Sequence, residues 1–109
     1  NYSISIDNYI IDNPPPTVLK MDIDGAEILA LKGMKNLISL KKTKFLIEIH
    51  PVEIKKMGYD INKDLISLFK TNYGLSFLPY LRSDNDKWVS QINSSHLKDD
   101  LYMLAIPKN

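Results

Sequence analysis

The chain has 109 residues, 44% of them hydrophobic and 25% charged, with a net charge of +1 from 14 basic and 13 acidic side chains. This is the composition of an ordinary globular unit of at most one domain. Cysteine is absent, which excludes disulfides, thiolate chemistry and cysteine-held zinc. The basic residues are scattered and Arg82 is the sole arginine, so no concentrated basic surface for nucleic acid is expected. No apolar run approaches the roughly 20 residues that cross a bilayer, and neither a membrane span nor a signal peptide is read at the start. The expected location is the cytoplasm. The chain opens on Asn1 rather than Met, and a cut-out from a longer protein is expected.

In chain order, "NYSISIDNYIIDN" reads as a short extended piece followed by helical turns from Asp7. Pro14, Pro15 and Pro16 stop any helix, because proline lacks an N–H and restricts its predecessor. "TVLKM", residues 17–21, reads as a strand whose only charge is Lys20. Asp24 and Gly25 are turn formers. Beyond them Leu29, Ala30, Gly33, Met34, Leu37 and Leu40 recur on one helical face. Gly33 weakens that helix and splits it. "LKKTK", residues 40–44, is a solvated link.

"FLIEIH", residues 45–50, is a second strand, apolar on both faces except for Glu48 and His50. That pattern predicts a parallel sheet with helices on both sides. Pro51 ends the strand. A helix is predicted over residues 63–73, with Leu65, Ile66, Leu68 and Phe69 as its buried stripe and Gly74 as its terminating glycine. "LSFLPYL", residues 75–81, is a third strand in which Pro79 favours a sheet edge. Residues 82–100 form a long polar connection, and "LYMLAI", residues 101–106, is the fourth strand. Helical crossovers make the early strands parallel, and the last pair forms an antiparallel arm. The fold class is α/β: one half of a doubly wound sheet, mostly parallel, with an antiparallel final strand.

In open α/β sheets ligands bind beyond the carboxyl ends of the strands. Asp22 follows the first strand directly, and Glu48 and His50 close the second. If those strands are neighbours, the three side chains converge on one crevice edge, where a carboxylate beside an imidazole can take a proton from a hydroxyl. Each has a plainer reading. Asp22 suits a helix cap, Asp24 a turn, and Glu27 a first-turn carboxylate favoured by the helix dipole. A lone Glu48 in an apolar strand needs a partner or a task, with Lys20 one candidate partner. His50 suits ligand contact or a structural role equally, and His96 reads as structural.

"MDIDG" also resembles the nucleophile loop of haloacid-dehalogenase-type phosphatases, with Asp22 as nucleophile and Asp24 as acid/base around Mg²⁺. However, Asp99 and Asp100 precede an apolar run, where that family's metal-holding acids follow one. Ala26 stands where it usually has Thr or Val, and Glu48 and His50 would be idle. A calcium loop fails because its glycine stands sixth, whereas Gly25 is fourth from Asp22. No metal site is therefore expected.

Two linked stretches decide the reading. Lys20, Asp22, Asp24, Gly25, Ala26 and Glu27, then Leu31, Lys32 and Gly33, precede a strand ending in Glu48 and His50. Together they resemble the FkbM-type methyltransferase family, and "SIDNYI" and "LYMLAIP" are similar to its flanking pieces. Asp24 departs from the commoner Glu, keeping the charge with a shorter reach. The resemblance implies the C-terminal half of a Rossmann-like methyltransferase domain spanning residues 1–109. It implies S-adenosylmethionine as methyl donor and a hydroxyl, often of a sugar or glycan, as acceptor. Asp22, Glu48 and His50 are then catalytic, and Asp24 and Glu27 bind substrate. Only four glycines are present, and none forms the glycine-rich loop that holds the cofactor in this fold. The stretch alone is thus expected to be inactive and to hold S-adenosylmethionine poorly. A non-catalytic remnant is the other alternative. A half-sheet exposes an edge, so self-association into a homo-oligomer is a further expectation.

Overall fold

A computed structural model describes residues 14–21, 27–79 and 87–109, together with Asp12. The expected opening turns from Asp7 lie outside the described residues. A four-stranded mixed sheet carries helices along one side. Strand β1 (Val18–Met21) leads to helices α1 (Glu27–Lys32) and α2 (Lys35–Leu40), then to β2 (Lys44–Ile49) and α3 (Pro51–Lys56). A π-type turn (Ile61–Leu65) continues as a 3₁₀ turn (Ile66–Leu68) into β3 (Tyr73–Pro79). A 3₁₀ helix (Ser94–Lys98) precedes β4 (Leu101–Pro107). Among the described residues no helix is long and apolar enough to cross a membrane.

The spatial order is β1-β2-β4-β3. β1 and β2 are parallel, while β4 is antiparallel to both β2 and β3, so the first three strands share one direction. The last two strands pair antiparallel as expected, but β4 also sits inside the sheet against β2, so of the described pairings only β1–β2 is parallel and the sheet is mixed rather than mostly parallel. That position leaves β3 at the edge, where Pro79 is tolerated. The link into β2 is fixed by Thr43, fully buried, whose hydroxyl donates to the Pro16 carbonyl at 2.5 Å. Lys44 N–H adds a bond to the Thr17 carbonyl at 2.9 Å, which extends the β1–β2 ladder by one rung.

The predicted break at Gly33 is present: α1 ends at Lys32 and α2 begins at Lys35. Met34 and Leu37 reach the core as expected, together with Ile28, Leu31 and Ile38, whereas Leu29 and Leu40, expected on the same face, are exposed. The helix expected over residues 63–73 is instead an irregular pair of turns beginning at Ile61. Asp60 explains the earlier start, since its carboxylate accepts from Lys63 N–H at 2.8 Å. In return Asp60 N–H donates to Asp64 Oδ2 at 2.7 Å, so both ends of the local cap are satisfied. Leu65 and Phe69 are buried as the stripe requires, and Ile66 and Leu68 are half-buried. Gly74 does not end a helix; it lies in β3 opposite Ile106. Among the described residues the glycine with a positive φ is Gly58, at +85°, just after α3.

Alternation in the strands puts Met21, Phe45, Ile47, Ile49, Tyr73, Phe77, Leu101, Met103 and Ala105 in one buried cluster with the helices. On the opposite face Leu46, Leu78 and Leu104 are half-buried, and Val18 and Ile106 are exposed. The expectation of helices on both sides therefore fails among the described residues. Strand order explains this, because right-handed crossovers that advance in one direction leave their helices on one side.

At the centre of the covered face Phe45, Phe69 and Tyr73 meet edge-to-face, with centroid separations of 5.1, 5.9 and 5.3 Å. Each such pair adds about 0.5–1.5 kcal/mol beyond its burial. The Tyr73 hydroxyl, itself buried, donates to the Ile38 carbonyl at 2.5 Å. Desolvation pushes its phenol above the ordinary value of 10.0. A folded-state pKa raised in this way means that the neutral form is favoured by folding. Its contribution is intact below about pH 10 and is lost as the pH rises through the folded value. Tyr73→Phe should cost about 1 kcal/mol at neutral pH, because Ile38 O keeps a second donor in Lys41 N–H at 3.3 Å. In urea titrations the variant should also lose less stability than the parent between neutral pH and pH 11.

Candidate functional site

The first sequence motif begins on one strand and the second lies on its parallel neighbour. The register pairs Lys20 with Leu46 and Met21 with Ile47. Met21, the residue before Asp22, therefore lies beside Ile47, the residue before Glu48. Asp22 and Asp24 are outside the described residues, as is the Glu27 side chain, although Glu27 opens α1. At the carboxyl edge of the sheet the structure thus places Glu48 and His50.

Glu48 is half-buried and paired across the sheet with Tyr102 of β4. His50 leaves the strand with φ −114° and ψ 84° and becomes the residue that begins α3, followed by Pro51 in the first helical turn. Proline suits that position because its missing N–H would have no intrahelical acceptor. The chain turn also changes the burial pattern. Leu46 and Glu48 are partly exposed, whereas His50 is 5% exposed. The expected alignment of Glu48 and His50 thus does not give them equal access to water.

β4 adds a residue to this edge. Its antiparallel register pairs Ile49 with Leu101, so Asp100 arrives next to His50, with Nδ1 and Oδ1 3.7 Å apart. This is a charge contact when the imidazole is protonated, and is too long for a direct hydrogen bond. An imidazole with a carboxylate beside it can accept a proton and hold the resulting cation. In the sequence Asp100 reads only as a candidate phosphatase acid; its place beside His50 comes from the pairing of β4 with β2, which linear order does not contain. Asp99 is occupied locally, accepting from Asp100 N–H at 2.8 Å.

His96 has the structural role expected of it. Asn93 caps the 3₁₀ helix Ser94–Lys98 through its side chain, and His96 Nδ1 accepts from Asn93 N–H at 3.2 Å. The cap fixes the segment that delivers Asp100. Among the described residues no group of His, Asp or Glu is arranged to hold a metal ion. Nor do the described glycines form a cofactor loop. Gly33 lies between α1 and α2, Gly58 follows α3 and Gly74 lies within β3, whereas a nucleotide-binding turn opens a helix directly after a strand.

In open α/β sheets ligands bind beyond the carboxyl ends of the strands, and Glu48 and His50 lie at that end of β2. The family described as "Methyltransferase FkbM domain" matches residues 3–87, which include both motifs. The chain belongs to the FkbM methyltransferase family. Asp22 to Gly25 fall within that match, so the phosphatase reading of the same residues has no separate support. No curated protein and no solved structure matches the chain.

Asn93→Ala should destabilise the Ser94–Lys98 turn by about 1 kcal/mol. Amide hydrogen exchange should show it as faster exchange at Ser95 and His96, with β2 unchanged.

Proposed function

We propose that the intact protein is an S-adenosylmethionine-dependent O-methyltransferase, acting on a hydroxyl of a small molecule or glycan, and that this chain supplies the acceptor side of its site. The observation that carries the reading is the parallel register of β1 and β2, which sets the strand where the first family motif begins beside the strand that carries the second. In this reading Asp22, Glu48 and His50 are catalytic, and Asp24 and Glu27 bind the acceptor. S-adenosylmethionine supplies the methyl group. Positioning dominates catalysis of a displacement of this kind, and the chain's own residues orient the hydroxyl and take up its proton. Asp22 has the leading part. The Asp100 carboxylate stands 3.7 Å from the His50 imidazole at this edge.

Asp22→Asn in the intact protein should lower kcat by about 100-fold or more in an assay of labelled methyl transfer, with the far-ultraviolet circular dichroism unchanged. An undiminished rate would remove Asp22 from the mechanism.

The 109-residue chain by itself should bind S-adenosylmethionine no better than millimolar, because the described glycines build no cofactor loop. Calorimetric binding in the micromolar range would overturn this assignment of the chain to the acceptor side.

A further inference from the structure

A groove runs from the end of β2 between α3 and the 3₁₀ helix Ser94–Lys98. It occupies about 520 Å³ and is floored by Pro51, Ile54 and Leu97, a volume within the range of small-ligand sites. An adjoining hollow of about 560 Å³ shares Pro51, Lys55, Leu97 and Lys98 with it and adds Lys56. Pro51 follows His50 directly, and Lys98 is two residues from Asp100. Residues of its wall thus neighbour both members of the candidate acid–base pair in the chain.

Its charge is one-sided. Lys55, Lys56 and Lys98 line it, all exposed, and none has a carboxylate at ion-pair distance among the described residues. Among the described residues the one acidic side chain in the wall, Asp60, already accepts from Lys63 N–H in the cap of the following turn. A chain of net charge +1 thus places three lysines from two separate elements around one apolar floor. Tyr59, also in the wall, carries Lys32 over its ring at 4.8 Å from the centroid, which adds a fourth cation nearby.

We propose that this groove holds the anionic part of the methyl acceptor: a phosphate or carboxylate set among Lys55, Lys56 and Lys98, with the body of the molecule on Pro51, Ile54 and Leu97 and its hydroxyl directed toward His50. The inference rests on the methyltransferase reading for the identity of the ligand as acceptor, but not for its binding. Ammonium groups on flexible stems serve as point-charge anchors for such anions, and the apolar floor selects for a ligand larger than the anion itself.

The test is amide chemical-shift titration of the full chain with glucose 6-phosphate and with galacturonic acid, against glucose, galactose and inorganic phosphate. Saturable shifts at Lys55, Lys56, Leu97 and Lys98 with at least one charged sugar, weakening as salt is raised, are expected. The neutral sugars should leave these amides unmoved. The triple variant Lys55→Gln, Lys56→Gln, Lys98→Gln, folded by its amide spectrum, should bind about tenfold less tightly, as three exposed charge pairs imply. Equal shifts with glucose, shifts confined to other elements, or undiminished binding by the triple variant would overturn the proposal. Inorganic phosphate binding as tightly as either charged sugar would also overturn it, because the apolar floor would then contribute nothing. Failure of the intact protein to transfer methyl groups while groove binding persists would refute the functional reading alone; methyl transfer to a neutral sugar with a silent groove would refute this proposal alone.

Discussion

The meeting of Phe45, Phe69 and Tyr73 is the contact on which the rest of the structure depends. The rings come from β2, from the turn after Leu68 and from β3, and each touches the other two. Tyr73 then reaches α2 through the Ile38 carbonyl. One cluster therefore ties the central strand to the edge strand and to the helical layer. β4 completes the arrangement, since Met103 and Ala105 are buried in the same core while its backbone pairs on both sides. Loosening the cluster would shift β3 and β4 together, and with β4 the position of Asp100 relative to His50.

The candidate site is thus the end of a chain of constraints rather than an independent feature. The β1–β2 register sets the strand where the first motif begins beside the strand that carries the second. The β2–β4 register brings Asp100 to His50, and the Asn93 cap orders the segment from which Asp100 emerges. Acid–base chemistry needs side chains held to within a fraction of an ångström, and here the holding is done mainly by backbone ladders.

Much of this was legible in the residues. Apolar runs bounded by proline and polar residues located all four strands, because a strand buried in a sheet needs little else to be recognised. Gly33 marked the helix break, and Pro79 marked the edge. Two of the departures have plain physical reasons. Gly74 after a helical stripe looks like a terminator, but β3 claims it through pairing with β4. An apolar-on-both-faces strand such as β2 looks doubly covered, yet the covering helices lie on one side among the described residues. At the site, Glu48 and His50 were visible as polar residues closing an apolar strand. The closeness of Asp100 was not, because a contact across 50 positions of sequence depends on which strands pair.

One small feature of the edge has a consequence for how the chain behaves among its own copies. Phe77 and Val89 exchange two backbone hydrogen bonds at 2.7 Å, which places a single rung of chain against the middle of β3. An edge strand is a template for strands from other molecules, and this rung occupies the donor and acceptor that such a strand would need first. Together with Pro79, which offers no N–H, it shortens the ladder that β3 presents among the described residues. A strand adding at this border would first have to displace that rung, a few atoms of the polar connection that precedes β4.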